Sequence, residues 1–185
     1  MTIPGTVIPT DSNDEMPGVG FLSGIFAGTS SLVLGQVREI TGLDTSALQN
    51  WVKRGWVSSP VNRSYNIDQV ARILIINMLR ESLHLEQIAF LLSYVNGSVY
   101  DRTDDIIPES KLYEYICMTV FSYRGKDIND QRALDRCIKK VTGDYVESLA
   151  GATIRLREAL RSILLAYRSA QVKRKAELFL EQLRD

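Results

Sequence analysis

Histidine occurs once in this chain of 185 residues and cysteine twice, and the count of Lys and Arg equals that of Asp and Glu at 22 each. One histidine, His84, cannot supply an acid–base pair or an ordinary zinc site. Cys117 and Cys137 are too far apart in sequence for a metal knuckle and too few for a disulfide framework. The zero formal charge argues against a protein that coats nucleic acid or acidic membrane. No apolar run reaches the ~18 residues of a membrane helix. No base precedes Arg38, so a basic secretory leader is not expected. No nucleophile with a partnered base, phosphate loop or metal constellation is present. The expectation is a cytoplasmic protein that is not an enzyme and has no cofactor, no metal and no membrane partner.

What is present is local. Residues 1–30 carry acids but no base and are rich in Gly, Pro, Ser and Thr. They read as an N-terminal arm, loose over 1–17 and partly packed over 18–30. Between residues 45 and 67 the pattern inverts: Lys53, Arg54 and Arg63 occur with no acid.

That basic stretch coincides with a compact pattern. Leu34, Val37, Ile40 and Leu43 are spaced as on a short helix, and Gly42 suits the left-handed turn after it. Asp44 can accept the free amides of a second helix, about Thr45 to Arg54. Its inner face is Leu48, Trp51 and Val52. Ser46, Gln49, Asn50 and Lys53 share the outer face, with Thr45 beside them. Two such helices joined by a short turn make a helix-turn-helix. The segment Trp56 to Tyr65 suits a small two-stranded wing. Asn66 and Gln69 form an approximate capping box for an apolar helix over 67–82, and a further helix spans Leu85 to Val95. Residues 31–97 thus form one expected domain.

Residues 98–185 read as a second, helical domain. Helices are expected at 110–124 and 129–142, and from Tyr145 to near the end. Leu149, Thr153, Leu156, Leu160, Ile163, Tyr167 and Ala170 form a heptad-like stripe. It suits either a helix covering the core or a homodimer interface. Lys173, Arg174 and Lys175 read as a solvated helix end. Trp51 and Trp56 read as core, Asn77 as a satisfied buried amide, and His84 as a cap or linker. Asp101, Asp104 and Asp105 with Arg102 read as a cap-and-salt-bridge loop, lacking the spacing of a calcium loop. The role of Arg54 stays open.

The order helix, turn, helix, wing, helix, helix resembles the MerR-type winged helix. Leu48-Gln49-Asn50-Trp51-Val52-Lys53-Arg54-Gly55 is similar to that family's Leu-Arg-Tyr-Tyr-x-Arg-x-Gly. Arg63-Ser64-Tyr65 matches the Arg-x-Tyr of its wing, and Leu85-Glu86-Gln87-Ile88 the Leu-x-x-Ile of its fourth helix. Gln49 and Asn50 depart from the family's Arg and Tyr, and the wing is shorter. The strings ITGLDTSALQNWVKRGW, ARILIINMLR and LLSYVNGSVYDRTDDIIPE resemble a bacterial family, mostly Gram-positive, known only as a domain of unknown function with a MerR-like DNA-binding fold. The resemblance runs from about Phe26 into the 120s.

It implies an all-α chain: a MerR-like winged helix-turn-helix with a small two-stranded wing, then a helical C-terminal domain for dimerisation or regulation. It also implies a regulator of transcription that binds double-stranded DNA as a homodimer, with an unidentified effector. In that reading Gln49 and Asn50 read base edges, and Lys53 reaches a guanine or a phosphate. Thr45 and Ser46 hold a phosphate at the helix N-terminus. Arg63 and Tyr65 on the wing, with Arg38, hold the backbone. The rival is a protein-binding adaptor built on the same winged helix.

Overall fold

A computed structural model describes residues 2–10 and 15–184. It is mostly helical with one small antiparallel sheet. In chain order the elements are α1 (Phe21–Ile25), β1 (Leu32–Val33), α2 (Leu34–Thr41), α3 (Thr45–Lys53), β2 (Ser64–Tyr65), α4 (Ile67–Leu79), α5 (Leu85–Asn96), α6 (Glu109–Ser122), α7 (Gln131–Val141) and α8 (Ala152–Gln182).

The turn between α2 and α3 forms as its residues dictate. Gly42 is left-handed after α2, and the Asp44 side chain accepts the Ala47 N–H at 2.6 Å to open α3. At α4 the capping box is complete: Asn66 Oδ1 accepts from Gln69 N–H, and Gln69 Oε1 accepts from Asn66 N–H, both at 2.9 Å. His84 sits at the N-cap of α5, where its N–H donates to Gln87 Oε1 at 2.9 Å.

Helix α4 is the hub. Val70, Ile73, Leu74, Ile75 and Leu79 are fully buried, because α6, α8, α5 and α2 all pack around it. One hydrophobic cluster runs from Leu22 and Val37 through α4 to Leu160 and Tyr167. The expected boundary at residues 97 and 98 therefore does not separate two cores.

The sheet differs from the expected wing. β2 pairs with β1, Leu32 opposite Tyr65 and Val33 opposite Ser64, and meets the residues just before the turn only through the single bridge of Ser64 to Val61. Residues 61–64 close a tight turn by paired Val61 and Ser64 hydrogen bonds at 3.0 and 2.9 Å. The strand partner lies some thirty residues upstream, where no local alternation announces it.

The N-terminal arm also differs. Residues 2–9 form a strap closed by a Thr2–Pro9 bridge and docked on the core. The Asn77 amide donates to Gly5 O and Thr41 O, both at 2.9 Å, and Tyr113 OH donates to Pro4 O at 2.7 Å. Gly5 has φ +77°, and a Cβ there would lie 2.2 Å from the Leu74 carbonyl oxygen. Residues 1 and 11–14 of the expected loose stretch lie outside the described residues.

Helix α8 starts at Ala152, after the left-handed Gly151, rather than at Tyr145. Residues 145–151 instead cross the 98–108 loop, held by Tyr145 OH donating to Ile106 O at 2.9 Å. Leu156, Leu160, Ile163, Tyr167 and Ala170 are buried within the chain, so the heptad-like stripe covers the core; Leu149 precedes the helix and is exposed. From Val172 onward every described residue of α8 is exposed. No helix among the described residues is long and apolar enough to cross a membrane.

Candidate nucleic-acid interface

Helix α3 buries Leu48 and Trp51 and leaves Ser46, Gln49, Asn50 and Lys53 exposed, with Thr45 half-buried. Its outer face divides in two. Gln49 and Lys53, one turn apart, border a groove of about 600 Å³ whose other walls are Val33, Leu34, Val52, Pro60, Arg63 and Tyr65. Asn50 turns the other way, its Oδ1 accepting from Arg54 Nε at 3.3 Å. Arg54 lies 5.1 Å over the Trp56 ring and 3.5 Å from Glu86. The open role of Arg54 is thereby assigned: it ties α3 to α5.

The tip of the wing is Asn62 and Arg63, at φ 50° and 62°. Asn62 tolerates left-handed backbone, whereas at Arg63 it costs about 1–2 kcal/mol that Gly would relieve. Arg63 is nonetheless exposed there at the groove rim. Among the described residues, neither Lys53 nor Arg63 has an acid within ion-pair distance.

Beneath this strained tip the base of the wing is firmly held. Gln69 Nε2 donates to Ser58 O, Ser58 Oγ and Ser59 O, each at 3.0 Å. Arg72 Nε donates to Trp56 O, and its guanidinium forms a buried ion pair with Glu109. Burial pushes the Glu109 carboxyl up from its ordinary range while Arg72 pulls it back down. Its second oxygen has no hydrogen-bond partner among the described residues.

Three expected contacts change. Tyr65 is 4% exposed: its place opposite Leu32 turns the ring into the core, and burial raises its hydroxyl pKa. It walls the groove rather than reaching out from the wing. Ser46 donates its hydroxyl to Asp44 Oδ1 at 2.8 Å, so it serves the cap. The Asp44 carboxyl is held below its ordinary range by the Ala47 N–H first, then the Ser46 hydroxyl, with Arg38 nearby adding a smaller pull. A carboxylate thus occupies the N-terminus of α3, where Thr45 and Ser46 were expected to hold a phosphate. The acid-free run of sequence is consequently not an acid-free surface. Among the described residues, its wing side is positive at Lys53 and Arg63, neither of which has an acid partner.

Val33, Leu34 and Pro60 were not foreseen as groove walls. The available signal was two adjacent apolar residues before α2, of which Val33 is 52% exposed and so not needed by the core. In the acidic loop, Asp101 accepts from the Thr103 N–H and hydroxyl at 2.9 and 2.8 Å. Arg102 lies 3.3 Å from Asp68 and 3.6 Å from Asp105.

An interface of this kind combines two cations, one amide and an apolar wall. The cations suit phosphates, Gln49 suits an adenine edge, and apolar contacts suit a thymine methyl or an apolar side chain.

No solved structure matches the chain. Uncharacterized protein YkrK of Bacillus subtilis (strain 168) is 34% identical over 85 residues, which is 44% of this chain and 36% of that protein. The chain thus covers little more than a third of the length of this curated relative. Residues 15–116, including α2, α3, the wing and the start of α6, match the Domain of unknown function (DUF1836). That span is more than half of the sequence, and the chain belongs to the DUF1836 family.

Proposed function

We propose that this chain is a cytoplasmic transcription regulator that reads double-stranded DNA through a MerR-like winged helix-turn-helix. Helix α3 lies in the major groove and the 58–66 wing follows the backbone. The observation that carries this reading is the convergence of Gln49, Lys53 and Arg63 on one groove. Arg63 stands at a strained wing tip where glycine would fold more easily. Gln49 reads a base edge, while Lys53 and Arg63 neutralise phosphates. Asn50, shared with Arg54, is a lesser reader, and Thr45, Ser46 and Arg38 support the helix N-terminus.

The regulator works as a homodimer, which places two α3 helices on half-sites about one helical turn apart. Because the 156–170 stripe is spent in the core, the dimer contact falls on the exposed end of α8. There Val172, Phe179 and Leu183 are 67%, 57% and 82% exposed and follow at seven- and four-residue spacing.

The apolar wall of the groove favours a second reading, an adaptor that holds a protein segment against Val33, Val52 and Pro60. Salt separates the two. Polarisation titrations against the DNA upstream of its own gene should weaken steeply with salt, by about 0.9 log unit per log unit of salt for each phosphate contact. Arg63→Ala should weaken all DNA alike, and Gln49→Ala should change sequence preference. No binding by the folded protein at low salt to any genomic fragment refutes the regulator.

A further inference from the structure

A second cleft, of about 620 Å³, opens on another side of the molecule, between the strap, the C-terminal ends of α2 and α4, and the exposed part of α8. It shares no lining residue with the groove beside α3. We propose that it binds a small amphipathic organic anion, one acidic head group on an apolar body.

The wall formed by the strap and the end of α2 is fixed. Asn77 ties the strap to α2 through Gly5 O and Thr41 O, and the Val7 N–H donates to Ile40 O at 3.0 Å. The strap also lies tight against the turn: a Cβ on Gly42 would stand 2.5 Å from Val7 Cγ1. A cleft with a wall held in this way loses less entropy on accepting a ligand. Its size falls within the roughly 300–1,000 Å³ of small-molecule sites.

The chemistry of the lining is divided. Val7 and Leu178, 54% and 61% exposed, supply most of the apolar surface, with the buried Pro4 and Met78 behind them. Arg80, Arg174 and Lys175 supply positive charge, and the one acid among the described lining residues, Glu81, lies 3.0 Å from Arg174. Neither Arg80 nor Lys175 has an acid partner among the described residues. Three cations against one acid leave two positive charges. The C-terminal poles of α2 and α4 offset roughly half a charge each, so the balance still favours an anion by about one charge. The apolar surface disfavours a bare phosphate or nucleic-acid backbone, and the positive balance disfavours a neutral lipid. The site stands independently of DNA binding.

Sodium octanoate is the probe, titrated into the full chain by calorimetry and followed by amide resonances. 1-Octanol and inorganic phosphate are the comparators. Octanoate should saturate one site, bind at least about tenfold more tightly than either comparator, and shift the Gly5 and Gly42 resonances but not Gly35 beside the α3 groove. The double variant Arg80→Ala/Lys175→Ala should lose about tenfold in affinity with its melting temperature unchanged, and Arg80→Lys/Lys175→Arg should keep it. The proposal is overturned if octanoate does not saturate below about ten millimolar, if octanol or phosphate equals it, if the double alanine variant binds as well, or if the shifts centre on Gly35.

Discussion

The strap at residues 2–9 and the wing turn at residues 61–64 both use left-handed backbone, and they fill it with different residues. In the strap the position is Gly5, pressed onto the Leu74 carbonyl. In the wing the positions are Asn62 and Arg63, standing in solvent. A turn whose task is to pack takes the residue with least strain. The wing tip keeps a long cationic side chain where the backbone would prefer none. The contrast separates stability from use, and substitutions can press on each side of it.

The largest effect is expected at the base that makes the strained tip tolerable. Arg72→Ala removes the donor to Trp56 O and leaves Glu109 buried without its cation. Denaturant unfolding should show a loss of about 3–5 kcal/mol. Gly5→Ala comes next, since both the left-handed φ and the Leu74 carbonyl oppose a methyl group. A loss of about 3 kcal/mol is expected, with faster amide exchange confined first to the strap and the end of α2. Arg63→Gly should go the other way. It should stabilise the fold by about 1 kcal/mol while weakening DNA of every sequence, read by melting and polarisation on the same sample. A variant that gained stability and kept DNA affinity would remove Arg63 from the interface and collapse the contrast.

The smallest effect concerns acid. Asp44 has its carboxyl lowered on folding, so its contribution is full above the ordinary carboxylate range and fades as pH falls through the lowered value. Unfolding followed across that window should show a slope that Asp44→Asn flattens.

Legibility in the sequence followed the range of the interactions. Gly42, Asp44, Asn66 and Gln69 act within a few residues of themselves, and the helix expected from Thr45 to Arg54 is seen as Thr45–Lys53. Helices α6 and α7 lie within two residues of their expected limits. The strand pairing of Leu32 with Tyr65, the strap held by Tyr113 and the Arg72–Glu109 pair join residues that no local period connects. Burial of Tyr65 follows from that strand pairing and was illegible for the same reason. At the groove beside α3, Gln49 and Lys53 were legible from helical spacing, and their meeting with Arg63 needed the fold. Ser46 misled because the residue that caps a helix also claims its neighbour's hydroxyl.

The strap has a consequence for the order in which the protein assembles. Its anchors lie 72 and 109 residues further along the chain, at Asn77 and Tyr113. The strap is therefore among the last parts to find its place, since Tyr113 must be made and α6 must settle against α4 before Pro4 can be gripped. Until then Gly5 and its neighbours are an unanchored segment beside a nearly finished core, and refolding should show strap closure as a late step after the helices have formed.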